Sequence, residues 1–579
     1  MCIKIVEQYT NCRCPYYVHP VDPCSHYGRK GHEVSLRTLF VGYACSQHSK
    51  GGGGGPPLHH VAESSVDSGS LSNDYHASFE GKTTITQRIN SAKLSLNIEL
   101  VKTLRVQLRA SMVLSDTRRY FLPSDALDHC LTPENLCAIL DGPEWALLPD
   151  STLLSCKKVI AILLMIQRLE ILPAVLREGL KDEHLPLKMP DNSSSEQPRA
   201  HPAFLESTND TQKLFLDSQW MVLAPTFSTK GHEVLSSAMV LPILSRDPIS
   251  AGAYGRVYNV RLHPSHQNLS LNKDSCFALK QLAKDDHGAA LESFHREFAM
   301  LNLRRPLHQD RIVPLLASFE QDDQYNLIFP LAWLNLRDFL ADPAMSGMPE
   351  YAYLEQMTGI TGALSCLHND LKDIDSEPLT CMHLDLKPEN ILIFNEGSMY
   401  GTWKLADFGL SSIQIKDSKL TLPPHPGYGT YEPPECQLNQ EQTPAYDMWS
   451  LGCIFLECIV SALEGHEAIE AFADARMKES RMGLYSIIDD YFFSLNIDTI
   501  DAPTAVTRRA VLEKIKQLGR IQKCSRNICT LLRIIEDSIL RVDKNERMQS
   551  SILFQIMSSM TLHDQTTQTF DSPKPVGAP

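Results

Sequence analysis

A stretch near residue 385 gathers side chains that suit chemistry on a phosphate group. Residues 383–390 are His-Leu-Asp-Leu-Lys-Pro-Glu-Asn, and the triplet Asp407-Phe408-Gly409 follows shortly after. Carboxylate and amide oxygens are hard ligands of the kind that Mg²⁺ prefers, and a carboxylate can also position an attacking hydroxyl group. The residue types in these two segments therefore predict a site for phosphoryl transfer.

Three segments upstream carry features that would complete such a site. Residues 250–257 are Ser-Ala-Gly-Ala-Tyr-Gly-Arg-Val, and glycines there would let backbone amides approach phosphates, although this spacing more often marks an ordinary hairpin. Lys280 ends the apolar run 276–280, which suits a buried strand presenting one charge, with a solvent-facing lysine as the alternative. Glu297 lies beside an apolar helical face over residues 294–301, and it can turn toward Lys280 or remain an exposed helix glutamate.

These segments follow one another in order between residues 250 and 409, and such agreement among independent motifs is hard to obtain by chance. Together they resemble the eukaryotic protein kinase superfamily, Ser/Thr type. The resemblance implies an α+β, two-lobed fold with a β-rich N-lobe and an α-helical C-lobe, and it implies ATP and Mg²⁺ as cofactors. The catalytic residues that it implies are Asp385, Lys387, Lys280 and Glu297, and the implied metal ligands are Asn390 and Asp407.

The same resemblance distributes roles around the nucleotide. Asp385 is expected to position the substrate hydroxyl, and Lys387 to steady the γ-phosphate. Phe329 would be the gatekeeper, Pro330 could offer adenine only its carbonyl, and Ala332 would supply an amide. The residues expected to contact the nucleotide are Ser250, Gly252, Gly255, Val257, Ala278, Lys280, Phe329, Pro330 and Ala332.

A later segment favours a protein substrate. Residues 429–435 are Gly-Thr-Tyr-Glu-Pro-Pro-Glu, which resembles the Ala-Pro-Glu motif of protein kinases and is not expected in a small-molecule kinase. Lys387 and Thr430 are typical of the Ser/Thr type. The resemblance also implies a buried ion pair between Glu435 and Arg547, and an aspartate, Asp447, that holds the catalytic loop by accepting backbone hydrogen bonds.

Two departures from the family pattern keep an alternative open. Ser250 replaces the first loop glycine, and Leu384 replaces an arginine that in many kinases pairs with an activation-loop phosphate. A pseudokinase, which binds nucleotide as a scaffold without turnover, is therefore the main rival to an active enzyme. If the enzyme is active, we expect activity without activation-loop phosphorylation. The candidate phosphorylation sites are Ser411, Ser412, Ser418 and Thr421.

Shifts in composition and stretches rich in Gly, Pro or Ser divide the chain into six parts. We predict a Cys/His-containing segment at 1–50, a flexible Gly/Ser/Pro linker at 51–80, a mainly α-helical domain at 81–188, a polar linker and connecting segment at 189–239, a protein kinase domain at 240–560 and a disordered tail at 561–579. Within the helical part, Thr132 and Pro133 predict the N-cap and the first turn of a helix. The helical part resembles amino-terminal extensions of kinase-domain proteins in filamentous fungi. It could bind a regulatory partner, pack on the kinase or recruit a substrate. Within the kinase domain, we predict that the acidic insertion at 369–380 is a solvated surface loop, with partner docking as the alternative.

Charge and apolar patterning exclude several classes of protein. The 69 acidic residues exceed the 54 basic residues, which argues against nucleic acid as a partner. No apolar stretch is long enough to predict a membrane span, and no secretory leader is evident, so we expect an intracellular location, cytoplasmic or nuclear. The N-terminal cysteines and histidines could bind zinc, but their spacing lacks paired Cys-x2-Cys knuckles, and reduced thiols are the favoured interpretation.

Overall fold

The computed structural model describes most of the chain from residue 95 onward, together with three strands near the N-terminus. The described segments are 2–9, 15–18, 34–41, 95–141, 150–188, 209–229, 231–252, 255–270, 272–283, 288–303, 310–345, 347–373, 375–396, 400–416, 429–481, 489–496 and 504–570. Near the N-terminus, β1 (Cys2–Tyr9) pairs antiparallel with β2 (Pro15–Val18) and parallel with β3 (Val34–Val41). Our interpretation of residues 1–50 predicted no strands, so this three-stranded sheet is a finding of the structure.

The residues that we weighed as zinc ligands lie outside the described segments, as does the predicted linker at 51–80. They are Cys12, Cys14, Cys24, His26, His32, Cys45 and His48. In the segments that the structure does describe, no group of three or more His, Cys, Asp or Glu side chains could hold a metal ion. The choice between zinc and reduced thiols therefore stays a prediction.

A helical region with its own apolar core precedes the kinase-like part. Its helices are α1 (Ile98–Ala110), α2 (Ser124–Cys130), α3 (Pro133–Ile139), α4 (Asp150–Leu154), α5 (Lys157–Met165), α6 (Leu172–Arg177) and α7 (Asn209–Ser218), and its short strands are β4 (Ser95–Leu96), β5 (Val113–Leu114), β6 (Tyr120–Phe121) and β7 (Leu140–Asp141). Helix α3 begins where the sequence predicts, because Thr132 Oγ1 accepts from the Asn135 amide and Pro133 fills the first turn.

The helical core continues past the predicted boundary at residue 188. Phe215 on α7, together with Val222 and Leu223, belongs to the same buried cluster as Leu104 and Leu108 of α1. The segment that we predicted as a polar connection therefore completes the helical core. Residues 214–227 are rich in apolar side chains, but the local sequence does not show which core these side chains join.

A six-stranded sheet forms the N-lobe, in the order β8-β12-β13-β11-β10-β9. Its strands are β8 (His232–Val234), β9 (Ile243–Gly252), β10 (Gly255–Leu262), β11 (Cys276–Ala283), β12 (Ala317–Gln321) and β13 (Gln324–Pro330). Helix α8 (Ala289–Leu301) lies between β11 and β12 in the chain and buries Phe294, Glu297 and Phe298. Of these elements, β8 comes from the segment predicted to be a linker.

The C-lobe is helical around one large apolar core. Its helices are α9 (Leu336–Ala341), α10 (Glu350–Asn369), α11 (Pro434–Gln437), α12 (Ala445–Glu464), α13 (Glu467–Arg481), α14 (Arg509–Leu518), α15 (Arg526–Ile534) and α16 (Ser550–Phe570), and its strands are β14 (Leu334–Asn335), β15 (Leu371–Lys372), β16 (Pro378–Met382), β17 (Ile391–Phe394), β18 (Thr402–Leu405), β19 (Ser412–Ile415), β20 (Phe493–Asn496) and β21 (Thr504–Thr507). Among the described residues only α12 is long and apolar enough to cross a membrane, and 89% of its apolar window is buried in this core.

Two predicted features of the C-lobe need correction. The acidic insertion at 369–380 is not simply a solvated loop, because β15 and β16 pair within it and β16 also pairs with β19. Leu371 and Leu379 are buried there, which explains why the insertion folds onto the lobe. At the other end, α16 runs to Phe570, so residues 561–570 are helical and not part of a disordered tail.

The helical region packs directly on the N-lobe. Asp116 Oδ2 lies 2.7 Å from Nε of Arg246 on β9, and both side chains are largely shielded from solvent. The Ser124 amide donates to Nε2 of His266 at 3.0 Å, so the Nδ1 proton of that imidazole donates to the carbonyl oxygen of Pro225. Phe121, fully buried, meets the His266 ring edge-on at 5.5 Å.

Candidate active site

Lys280 connects the two lobes electrostatically. Its Nζ lies 2.6 Å from Oε2 of Glu297 on α8 and 2.8 Å from Oδ1 of Asp407. Burial alone would lower the pKa of Lys280, but the carboxylates of Asp407 and Glu297 outweigh it and raise the pKa above its usual range. The structure thus brings together three of the residues that the sequence singled out.

Two carboxylates around this lysine differ in their surroundings. The Glu297 side chain is 2% exposed, and burial raises its pKa, which the Lys280 ammonium partly offsets. Burial also acts to raise the pKa of Asp407, yet the same ammonium and the Gly409 amide lower it to about 2. Because the Asp407 side chain remains 44% exposed, its ionised carboxylate faces the cleft and suits a bound cation.

The loop that carries Asp385 is held by its own side chains. Lys387 Nζ lies 2.7 Å from Asp385 Oδ2, and Nδ2 of Asn390 donates to the same oxygen at 2.9 Å. The same side-chain Nδ2 of Asn390 also donates to the backbone carbonyl oxygen of Asp385 at 2.8 Å. These bonds leave Oδ1 of Asp385 to accept from a substrate hydroxyl, and Oδ1 of Asn390 to act as a metal ligand.

A buried aspartate accepts hydrogen bonds from the backbone of this loop, as the resemblance implied. Asp447, at the start of α12, accepts the backbone amides of His383 and Leu384, each at 2.8 Å. Leu384 has φ 64, a left-handed conformation that is unusual for leucine. Nε2 of His368 also lies 2.9 Å from the Asp447 carboxylate. The loop conformation is therefore stabilised by hydrogen bonds to a rigid helix.

The predicted nucleotide-contacting residues line the strands β9, β10, β11 and β13. Ser250 lies opposite Val257, which in turn lies opposite Lys280. Gly255 comes so close to β11 that a Cβ there would be 2.5 Å from the Gln281 carbonyl oxygen, so only glycine fits without a shift. Gly252 ends β9, and residues 253–254 of the loop tip lie outside the described segments.

The remaining predicted residues lie on β11 and at the end of β13, where the chain continues toward the C-lobe. Ala278 pairs with Phe329, and Phe277 pairs with Pro330, the last residue of β13. Ala332 follows, and the amide of Trp333 donates to the Ile393 carbonyl at 2.8 Å. The strand pairings bring Ala278, Phe329 and Pro330 onto neighbouring strands, while the roles at the adenine remain those of the resemblance.

The segment predicted to position a peptide is tied to the catalytic loop by a network that the sequence did not reveal. Tyr431 Oη donates to Glu457 Oε2 at 2.7 Å, and Arg337 donates to the Tyr431 hydroxyl and contacts Glu389 of the catalytic loop at 3.1 Å. Arg476, which is 1% exposed, lies 3.2 Å from the other oxygen of Glu457. No local pattern marks these residues, because their partners lie 19 to 120 positions away.

Two further contacts hold this segment, one that the sequence predicted and one that it did not. The predicted ion pair between Glu435 and Arg547 is confirmed: it is bidentate, with distances of 2.7 and 2.6 Å. Thr430 Oγ1 donates to Asp490 Oδ1 at 2.7 Å, a partner that sequence reasoning missed. The first pair anchors the segment to the C-lobe core, and the second anchors it to the loop after α13.

Of the candidate phosphorylation sites, Ser411 is poorly placed. It is 2% exposed, and its hydroxyl donates to the Phe408 carbonyl at 2.7 Å. Ser412 begins β19 opposite Met382, while Ser418 and Thr421 lie outside the described segments. A kinase acting on Ser411 would have to open the segment that follows Asp407, so this serine is removed from the candidates.

The sheet lobe with its lysine and glutamate, facing a helical lobe with its carboxylate loop, defines the two-lobed protein kinase fold. Residues 245–555 match the family described as Protein kinase domain, and the chain belongs to this family. The predicted fold class is thereby confirmed.

Similar curated proteins are named as kinases. Over 219 residues the chain is 31% identical to Cyclin-dependent kinase 4 of Mus musculus, covering 36% of this chain and 64% of that protein. It is 30% identical over 236 residues to the Cyclin-dependent kinase 4 homolog of Caenorhabditis elegans, covering 39% and 52%, and 28% identical over 213 residues to Cyclin-dependent kinase-like 5 of Mus musculus, covering 36% and 20%. The chain thus spans less than two thirds of these relatives.

Proposed function

We propose that this chain is an active Ser/Thr protein kinase that transfers the γ-phosphoryl group of ATP to protein hydroxyls. The observation that carries the proposal is the assembled charge array at the cleft, in which Lys280 is within 2.8 Å of both Glu297 and Asp407. A phosphoryl-transfer enzyme acts mainly by positioning and electrostatic stabilisation, so an assembled array is what the chemistry requires.

Each residue has a defined task in this proposal. Asp385 accepts the hydrogen bond of the attacking hydroxyl through Oδ1, because Oδ2 is occupied by Lys387 and Asn390. Lys280 offers its ammonium to phosphate oxygens while Glu297 keeps that ammonium in place. Asp407 and Asn390 would hold Mg²⁺, which when bound neutralises charge on the phosphates. Lys387 adds a positive charge beside the reacting hydroxyl.

The rival function is a nucleotide-binding pseudokinase, which the departures at Ser250 and Leu384 favour. Ser250 still pairs with Val257, beside a register shift in the ladder between β9 and β10, and Leu384 keeps the loop in place through its backbone amide. Both departures therefore leave the positions of the reactive side chains intact. For this reason we favour the active enzyme over the scaffold.

The deciding experiment measures transfer of labelled phosphate from ATP with Mg²⁺ to a generic protein substrate. Purified wild type is compared with Asp407→Asn and with a matched surface control, Asp474→Asn, on the exposed side of α13. Incorporation on serine and threonine by wild type and control, lost in Asp407→Asn, would establish the kinase. Equal background from all three, with measurable nucleotide binding, would establish the pseudokinase.

We further propose that the helical region regulates the kinase domain and that the protein works inside the cell. The packing of Phe121 and Asp116 on the N-lobe supports the first proposal. The 16 cysteines are scattered through the chain without the spacing of a disulfide framework, which supports a reducing compartment.

Phosphatase treatment of the active protein tests the expected independence from activation-loop phosphorylation, since unchanged activity is predicted.

A further inference from the structure

The connection between the helical region and the kinase domain adds a strand to the N-lobe sheet. Strand β8 pairs parallel with β12, with His232 opposite Ser318 and Val234 opposite Glu320. The Leu235 amide continues the ladder by donating to the Glu320 carbonyl at 2.8 Å. β8 is the edge of the sheet at β12, so a segment from outside the predicted kinase domain becomes part of its architecture.

The first side chain of β8 contacts the helix that carries Glu297. The His232 ring lies 5.2 Å from the ring of Phe294 and 5.8 Å, edge-on, from the ring of Phe298. Its Nδ1 lies 3.1 Å from the hydroxyl of Ser318. Phe298 directly follows Glu297, and Phe294 lies one turn before it. His232 therefore packs against the same turn of α8 that points Glu297 at Lys280.

The turn after β8 is fixed from two sides. From the N-lobe, Nε2 of Gln321 donates to the carbonyls of Ser236 and Met239 at 2.9 and 3.0 Å. From the helical region, the Arg119 guanidinium donates to the Ser237 carbonyl at 3.3 Å and to the adjacent Ala238 carbonyl. The helical region thus holds the strand that contacts α8, through a contiguous set of hydrogen bonds.

Helix α8 carries the glutamate whose distance from Lys280 such a contact can set. Its N-cap is Gly288, which has φ 74 and no neighbouring atom that a Cβ would meet. Glu297 lies 2.6 Å from Lys280, so any displacement of α8 that moved this carboxylate away would break the pair. A contact made in one position of a movable helix, and lost in another, shifts the equilibrium toward the first position.

We propose that β8, held in place by the helical region, positions α8 in cis, which makes His232 a positioning residue for the Lys280–Glu297 pair. This proposal rests on the kinase activity proposed above. In it the N-terminal part of the chain supplies a surface that contacts Phe294 and Phe298 of α8. The helical region is then an activating element and not only a recruiting domain.

The test compares full-length variants in the transfer assay. His232→Ala should lower kcat about tenfold, because Glu297 no longer holds the lysine, while the affinity for adenosine, which lacks phosphates, stays within about twofold. His232→Phe keeps an aromatic ring against α8 and should retain most of the activity. The matched control is His129→Ala, at an exposed position of α2.

A second pair of variants tests the link to the helical region. Arg119→Ala should lower kcat in the same direction as His232→Ala, whereas Arg118→Ala, an exposed neighbour, should not. A folded His232→Ala with wild-type kcat would overturn the proposal. So would equal losses of kcat, adenosine binding and thermal stability, which would indicate general damage, or failure of His232→Phe to recover activity.

Hydrogen–deuterium exchange separates this proposal from the proposed function. If the wild type transfers no phosphate, the proposed kinase activity fails, but exchange across residues 289–301 still reports the position of α8. Faster exchange there in His232→Ala and Arg119→Ala, with unchanged exchange in α12, would support positioning by β8. Unchanged exchange in α8 would overturn it whatever the activity.

Discussion

At the residue scale, the site depends on charges that are buried and paired. Glu297 is 2% exposed and has the Lys280 ammonium 2.6 Å away. An ionised carboxylate in that position is costly without a cation, since water cannot replace the lost partner. The Asp407 side chain is more exposed, so water can solvate its carboxylate if the lysine is lost. Lys280 therefore has a structural task as well as the proposed catalytic one.

Substitution of the lysine should separate these two tasks. Lys280→Met leaves Glu297 buried without a cation, and we expect a loss of about 3 kcal/mol in the free energy of unfolding together with loss of phosphoryl transfer. Glu297→Gln removes the buried charge, and Lys280 keeps Asp407, so its stability should change by less than about 1 kcal/mol while activity falls. Chemical denaturation monitored by circular dichroism measures both; equal stability losses would contradict the assignment.

At the element scale, strand spacing limits which residues can form the nucleotide cleft. β10 approaches β11 so closely at Gly255 that a methyl group would meet the Gln281 carbonyl oxygen. The backbone there cannot give way as a flexible side chain could. The strand pair itself, and not only the loop tip, therefore requires glycine.

Two glycine substitutions should have opposite effects. Gly255→Ala should separate β10 from β11, raise the KM for ATP more than about fivefold and lower the thermal midpoint. Gly347→Ala, where a Cβ meets nothing within 4 Å, should be neutral or stabilising by up to about 1 kcal/mol. Steady-state kinetics and thermal unfolding check the pair. A Gly255→Ala protein with unchanged KM would show that the strands can adapt.

The ion pair between Glu435 and Arg547 belongs to the same scale, because it joins α11 to the segment before α16. Arg547→Met should cost about 3 to 5 kcal/mol, since Glu435 is left buried, and the double variant with Glu435→Gln should recover part of that loss. The exposed pair of Arg541 with Glu546 offers a control, and Arg541→Met should cost less than about 1 kcal/mol. Urea unfolding measures all three variants, and similar losses at Arg547 and Arg541 would refute the argument.

At the scale of the whole molecule, histidines lie at the contacts of α8 and of the helical region with the N-lobe. Burial lowers the pKa of His232 to about 4, despite the opposing charge of Glu320, and it lowers the pKa of His295 to about 4 as well. Burial also lowers the pKa values of His263 and His266 at the contact with Phe121. These rings are neutral in the folded protein at pH 7.

Acid should therefore weaken the assembled protein before the carboxylates titrate. In the unfolded chain histidine binds a proton near pH 6.5, whereas His232 and His295 bind theirs only near pH 4. Stability is full above pH 6.5 and is lost as the pH falls toward 4, because the unfolded state then binds more protons. From pH 7.5 to 5.5 each ring should cost about 1 kcal/mol.

Urea unfolding at both pH values checks this expectation. The wild type should unfold at lower urea at pH 5.5, and His232→Phe should lose about 1 kcal/mol less than wild type over the same interval. A wild type that is equally stable at both pH values, or a variant with the same pH dependence as wild type, would contradict the assignment of these rings.

The sequence by itself determined the kinase fold and the residues of its cleft. Lys280, Asp385, Asn390 and Asp407 lie in short motifs whose spacing is set by one loop or one strand end, so local order in the chain is enough to find them. The capped start of α3 at Thr132 was predicted for the same reason. Physical constraints that act over a few residues leave a pattern that a single sequence displays.

Only the tertiary structure decided which distant residues support the cleft. His232 meets Phe294, Asp116 meets Arg246, and Arg337 reaches Glu457 across long stretches of chain, so no periodicity records these contacts. The linker predicted at 189–239 became part of a helical core and a sheet edge because its apolar residues found partners elsewhere. Burial and pairing are properties of the folded whole, and therefore the motifs were visible in the sequence while the residues that support them were not.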